Sequence, residues 1–290
     1  MIHTSRQLKA LVRNRSNGDN AKAATLIRNY VMERFLERMS ISKYKDKLIL
    51  KGGLLVASMV GIDNRATMDL DTSVRNYNLS PEDAKKMIEE IISISLEDEV
   101  KFTIKSVESI MDEAEYPGIR LKLEALLDTM KTPLKIDIST DDVITPKEVN
   151  YAYKLMFEER TIPVLAYNLE TVLAEKMETV ISRGILNTRM RDYYDLTVLN
   201  IVKSESINVS DLRKALEATS RKRGSYELMA DWEHVLRQIR DDAGLREQWE
   251  RYQRKYDYAA DYGWEDIVGN IEKLFEKNDD LLDGAKYRKI

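Results

Sequence analysis

Lys51-Gly52-Gly53, followed by Arg65-Ala66-Thr67-Met68-Asp69-Leu70-Asp71, is the stretch whose reading decides the rest of this chain. Leu48-Ile49-Leu50 is a short apolar run leading into the glycines, and Leu54 to Val60 reads as a short helix opening on them. Thr67 to Val74 is a strand candidate, which sends Asp69 and Asp71, two apart, to the same face. Two carboxylates a few ångströms apart repel each other unless a cation lies between them. Mg²⁺ suits that place, because it takes one or two carboxylates plus phosphate oxygens. The glycines let backbone N–H groups approach a phosphate chain at a helix N-terminus. Together these features are what the first motif of a metal-dependent nucleotidyl transfer site requires, with Lys51 and Arg65 as neutralisers of phosphate charge.

Such a site needs a third carboxylate on a neighbouring strand. Lys135-Ile136-Asp137-Ile138-Ser139 supplies one, since Asp137 alternates against Ile136 and Ile138 and points away from their face. The chemistry is in-line displacement at the α-phosphorus of a nucleoside triphosphate, with two Mg²⁺ ions ~3.5–4 Å apart on the attacking and leaving oxygens. Asp69, Asp71 and Asp137 are the expected metal ligands, and Asp137 is also placed to accept the proton of the attacking hydroxyl.

Composition narrows the alternatives. The 290 residues suffice for one large domain or two ordinary ones, and 43% hydrophobic with 33% charged residues means a real core under a charged surface. Mean hydropathy is −0.45, and no apolar run approaches the ~18 residues of a spanning helix. Met1 to Ala10 lacks a signal-peptide core. Cysteine is absent and there are two histidines, His3 and His234, so disulfides and thiolate zinc sites are excluded and oxygen ligands are expected. These points favour a cytoplasmic protein without a membrane partner. Residues 1–50 carry 11 Lys and Arg against 4 Asp and Glu, while the remainder carries 35 against 46. That basic N-terminal region is either a phosphate-seeking surface or a solvated helix face.

Periodicity predicts a helix over Asp19–Met39, a helix from Ser80 to about Ser95 with Pro81 at its first position, and strands at 100–107, 119–126 and 134–138, with shorter ones at 155–157 and 162–165. From Asn168 the pattern is helical: 169–182, 189–201, 210–219, 226–240, 245–258 and 264–275. The expected class is α+β, with residues 1–167 forming a mixed sheet with helices and residues 168–290 an all-helical domain.

A second cluster lies on the helical part. Leu173-Ala174-Glu175-Lys176 sits in an amphipathic helix, and Arg189, Arg191, Asp192, Tyr193, Tyr194, Asp195 and Leu196 follow. Lys176 and Arg191 are candidate nucleotide contacts. Asp192 or Asp195 either orients them or binds the nucleotide, the alternative being a solvated face with an Arg191–Asp195 surface pair. Arg221-Lys222-Arg223 is a solvated helix end or an RNA contact. Trp232, Trp249, Trp264 and the tyrosines of 252–262 are core residues or base-stacking residues.

The ordered series K-G-G, R-x-T-x-D-L-D, K-I-D-I, L-A-E-K and R-x-R-D-Y-Y-D-L, over about residues 45–200, resembles the abortive-infection AbiEii/AbiGii toxin family. The resemblance implies a polymerase-β-like nucleotidyltransferase fold followed by helices, Mg²⁺-dependent use of an NTP, growth arrest in phage defence, and an antitoxin encoded nearby. It also implies an RNA acceptor, with the tRNA 3′ end as the target in related toxins. The matching positions are Gly53, Asp69, Asp71, Asp137, Lys176, Asp192 and Asp195. Leu54 stands where many members have a small hydroxyl residue, and Arg191 where Lys is common, which keeps charge but changes geometry. Two rival readings share these residues: a transferase that modifies a small molecule such as an antibiotic, and a non-catalytic NTP- or RNA-binding regulator.

Overall fold

A computed structural model of the chain describes residues 2–61, 63, 65–75, 79–111 and 117–277. The fold class is α+β. Contacts divide the chain into two compact units, the first drawn from residues up to 58, 65–142 and 148–166, the second from 59–64, 143–147 and 167 onward.

The first unit is a seven-stranded mixed sheet with helices. Its elements are α1 (Ser5–Ser16), α2 (Asn20–Ile41), β1 (Leu48–Lys51), α3 (Gly52–Val60), β2 (Leu70–Val74), α4 (Pro81–Ile92), β3 (Lys101–Met111), β4 (Pro117–Leu127), β5 (Met130–Thr140), β6 (Val149–Lys154) and β7 (Thr161–Ala166). The strand order is β3-β4-β5-β2-β1-β7-β6. β2 runs parallel to β5 and β1 parallel to β7, while β1 and β2 are antiparallel, as are β3 with β4, β4 with β5, and β6 with β7. Leu134, Ile136 and Ile138 of β5 are buried, on the face where α2 packs against β5. The strict alternation of β5 therefore leaves Asp137 on the opposite face.

Local chemistry sets the helix ends. Thr4 and Gln7 cap α1 reciprocally, Thr4 Oγ1 accepting from the Gln7 N–H at 3.2 Å and Gln7 Oε1 from the Thr4 N–H at 3.1 Å. Asp19 caps α2. Ser80 caps α4, with Pro81 at its first position. Asp69 falls one residue before β2, because pairing with β5 begins at Leu70↔Ile136; it still lies on the face of Asp71 and Asp137, where it pairs with Lys135 and its charge acts on Asp71. The expected strand at 155–157 lies instead in the connection between β6 and β7. β6 was missed although Val149, Tyr151 and Tyr153 alternate with Asn150, Ala152 and Lys154; it is a short strand at the sheet edge that buries little besides Tyr153.

The charged residues of α2 overturn a second expectation. Arg34, Arg38, Glu33 and Glu37 are buried rather than solvated. Arg38 forks onto Asp98 at 2.6 and 2.7 Å and also donates to the Val100 carbonyl at 2.9 Å. Arg34 reaches Glu158 at 3.1 Å and Glu37 at 2.9 Å, and Arg160 closes the network onto Glu37 at 2.6 Å and Glu158 at 2.7 Å. Glu33 accepts the Met156 N–H at 2.9 Å. Arg34 and Arg38, two of the basic charges counted in residues 1–50, are thus spent inside the fold.

The second unit contains α5 (Leu169–Arg183), α6 (Met190–Val202), α7 (Val209–Lys222), α8 (Tyr226–Met229), α9 (Trp232–Asp241), α10 (Ala243–Lys255) and α11 (Trp264–Glu276). The single helix expected at 226–240 is two, divided at Ala230-Asp231. α5 packs against α6 and α7, and α11 against α6 and α9. Asn168 caps α5, and its amide donates to the carbonyls of Thr145 and Lys147 at 2.8 Å each. Trp232, Trp249 and Trp264 are 3%, 0% and 4% exposed, so they are core and not stacking surface. Among the described residues, no helix is long and apolar enough to cross a membrane.

Candidate active site

Sheet register places charges of alternating strands in one row. Arg120 of β4 is opposite Asp137 of β5, Asp137 is opposite Asp71 of β2, and Asp71 is opposite Lys51 of β1. Neighbours in register lie ~4.8 Å apart and project to the same side. The row reads plus, minus, minus, plus. The two carboxylates that the sequence put on separate motifs are therefore brought side by side.

Each member has a defined partner. Arg120 Nε and Nη2 donate to the two oxygens of Asp137 at 2.8 Å each, a bidentate fork. Lys135 sits 2.8 Å from Asp69 Oδ2 and 3.8 Å from Asp137 Oδ2, so it spans the outer two carboxylates. Lys51 Nζ donates to Asp142 Oδ2 at 2.7 Å, and the Ser139 hydroxyl donates to the same oxygen. Burial pushes the Asp71 carboxyl above its ordinary range, and the charge of Asp137 adds to the rise; Lys51 opposes it, Asp69 raises it further, and the Gly53 N–H, 3.4 Å from Oδ2, opposes it.

The glycines serve this carboxylate. Gly52 has φ +64°, and a Cβ there would lie 2.1 Å from Asp71 Oδ2. A Cβ on Gly53 would lie 2.7 Å from Thr67 Oγ1 and 2.8 Å from Arg65 Nη1. Arg65 is 3% exposed and donates to the Ala66 carbonyl at 2.6 Å. The glycines therefore also bring the backbone close to Asp71, Arg65 and Thr67.

Among the described residues, no three acidic or histidine side chains form a ready metal-ligand group. The donor set nevertheless fits a hard divalent cation. It is all oxygen, two carboxylates lie on adjacent strands, and the carboxyl of one is raised by the charge of the other, a repulsion that a cation relieves. Asp69 stands beside this pair, joined to Asp137 through Lys135.

The second unit builds its own cluster. Lys176 of α5 lies 2.9 Å from Asp192 Oδ1 and 2.8 Å from Asp195 Oδ2, both on α6 and three apart, hence on one helix face. Asp195 is fully buried, whereas Lys176 and Asp192 keep 15% and 14% of side-chain exposure. Asp192 Oδ2 has no hydrogen-bond partner. Arg191 donates to the Tyr256 hydroxyl at 3.3 Å. Asp192 and Asp195 both pair with Lys176, in place of the alternative Arg191–Asp195 surface pair. Of the basic turn, Arg223 is turned inward onto Glu178 at 2.6 Å, and Arg221 binds Glu217 at 2.8 Å and lies over the Tyr226 ring.

Sequence reading missed Arg120 and Asp142. Arg120 in a strand reads as an ordinary solvated position until the β4–β5 register is known. The signal for Lys135 was already present in the K-I-D-I motif, two residues from Asp137 and so on the same face.

None of the curated proteins compared with the chain matches it. The solved structures similar to it include JHP933 from Helicobacter pylori, at 15% identity and TM-score 0.49 over 92% of this chain and 98% of that one. They also include an antigenic nucleotidyltransferase-like protein from Paracoccidioides brasiliensis, at 15% identity and TM-score 0.39 over 81% and 94%. At these scores neither likeness carries an argument. The family model described as nucleotidyl transferase AbiEii toxin, type IV TA system, matches residues 34–270, which span both the carboxylate row and the Lys176 cluster. The chain belongs to the AbiEii nucleotidyl transferase toxin family of type IV toxin–antitoxin systems.

Proposed function

We propose that this chain transfers a nucleotidyl group from an NTP to a hydroxyl of an RNA acceptor, the tRNA 3′ end, and so arrests growth until its antitoxin intervenes. The observation that carries the reading is the pairing of Asp71 with Asp137 on adjacent strands, with the Asp71 carboxyl raised by its neighbour. Asp69, Asp71 and Asp137 would hold Mg²⁺, which supplies charge neutralisation at the triphosphate and acidity at the attacking hydroxyl. The chain's own groups do the rest. Gly52 and Gly53 keep the backbone close to Asp71. Lys51 and Lys135 set the charge balance on either side of the carboxylates. Arg65 is the proposed stabiliser of the loop that delivers Asp69. In the second unit, Lys176, held between Asp192 and Asp195, and Arg191 are the proposed nucleotide contacts.

The test is incubation of the protein with each α-labelled NTP, Mg²⁺ and either total RNA or small hydroxylated acceptors. Label in a tRNA-sized band that Asp71→Asn abolishes supports the proposal. Label only in small acceptors would replace the substrate class, and NTP binding with no transfer to either would leave a binding protein.

A further inference from the structure

Resting on the reading of Asp71 and Asp137 as the cation pair, we infer that Arg120 is a positioning residue that gates Asp137 against premature cation loading. Both oxygens of Asp137 are already taken by the Arg120 fork at 2.8 Å. Each oxygen keeps a further lone pair, but a divalent ion bound there lies against the positive guanidinium, so Arg120 opposes its binding until the fork turns away. Lys135, at 3.8 Å from Oδ2 and 2.8 Å from Asp69, gives Asp137 only a secondary counter-charge beside that fork. Arg120 keeps 30% of its side-chain exposure, against 18% for Asp137, so it has room to turn away without unpacking a core.

The displaced fork has a destination in this chemistry. A guanidinium matches phosphate oxygens in the same bidentate geometry as it matches a carboxylate. An NTP brings both the cation and a phosphate chain, so its arrival gives Asp137 a new counter-charge and Arg120 a new anion in one event. The expected consequence is coupling: the divalent ion binds weakly alone and more tightly with nucleotide, and Arg120 is the residue that makes the difference.

The experiment is Mn²⁺ binding to the full chain, followed by electron paramagnetic resonance, with and without a non-transferable NTP analogue. Arg120→Ala should raise nucleotide-free Mn²⁺ affinity about tenfold or more, ~1.4 kcal/mol, and shrink the gain produced by nucleotide. Arg120→Lys, which keeps the charge but loses the fork, should fall between the two and carries the test if the alanine variant does not fold. Asp137→Asn added to Arg120→Ala should cancel the gain and so locate it. Unchanged or weaker Mn²⁺ binding in Arg120→Ala would overturn the gate while leaving the cation pair standing. Mn²⁺ binding that is absent from all variants, or indifferent to Asp137, would overturn the cation pair itself and the gate with it.

Discussion

Two sets of charged residues in the first unit are solved in opposite ways. Along α2, Arg34, Arg38, Glu37, Glu158, Arg160 and Asp98 are matched charge for charge, with Arg38 and Asp98 at 3% and 0% side-chain exposure. On the sheet face opposite Ile136 and Ile138, Asp71 and Asp137 stand side by side with their repulsion only partly answered by Lys51, Arg120 and Lys135. Charges that the fold itself neutralises are structural. Charges held in tension at a largely buried position are what a ligand can resolve, and strongly perturbed groups gather at functional sites for that reason.

The comparison can be broken in graded steps. The largest effect is expected at Asp71. Asp71→Asn should lower nucleotide transfer about 10³-fold or more, ~4 kcal/mol of barrier, with the thermal midpoint of unfolding held or raised, because a strained charge is removed. Retained transfer would remove Asp71 from the site. Arg38→Ala should do the reverse, costing ~3–5 kcal/mol in urea unfolding because it leaves Asp98 buried and unpaired, while the activity per folded molecule persists. A mild loss would mean that the α2 network is less matched than its geometry indicates.

Gly52→Ala joins the two readouts. The added Cβ meets Asp71 Oδ2 and sits at positive φ, so ~1–2 kcal/mol of backbone strain is expected together with loss of transfer through a displaced Asp71. Full activity in a stably folded variant would show that Asp71 tolerates the shift. Taken per pH unit, the smallest effect concerns titration. Burial pushes the Glu33 carboxyl from its ordinary 4.5 to about 8. Between those values the folded chain keeps a proton that the unfolded chain has released, so stability falls as pH rises through the window and levels off above it, with a slope of at most ~1.4 kcal/mol per pH unit. Glu33→Gln should flatten that slope in urea titrations at a series of pH values; an unchanged slope would assign it to another group.

Legibility followed how local the determining interaction was. Asp137 was readable because strict alternation with Ile136 and Ile138 fixes its face within three residues. α4 was readable from Ser80-Pro81 and its acidic first turn. The same local reasoning failed for Arg38, whose burial depends on Asp98 sixty residues away, and for Arg120, whose role appears only when β4 is laid against β5. It missed the strand boundary at Asp69 by one residue, and the residue's ion pair with Lys135 became visible only with the β2–β5 pairing. The glycine pair was readable as a close backbone approach, and the structure adds Asp71, Arg65 and Thr67 as neighbours that leave no room for a Cβ.

The central claim is that Asp71 and Asp137 act as one unit, and a double-mutant cycle on nucleotide transfer tests it most directly. Asp71→Asn, Asp137→Asn and the double variant should show nearly the same residual rate, because either loss disables the shared site. Rate losses that multiply, as expected for independent residues, would contradict the account.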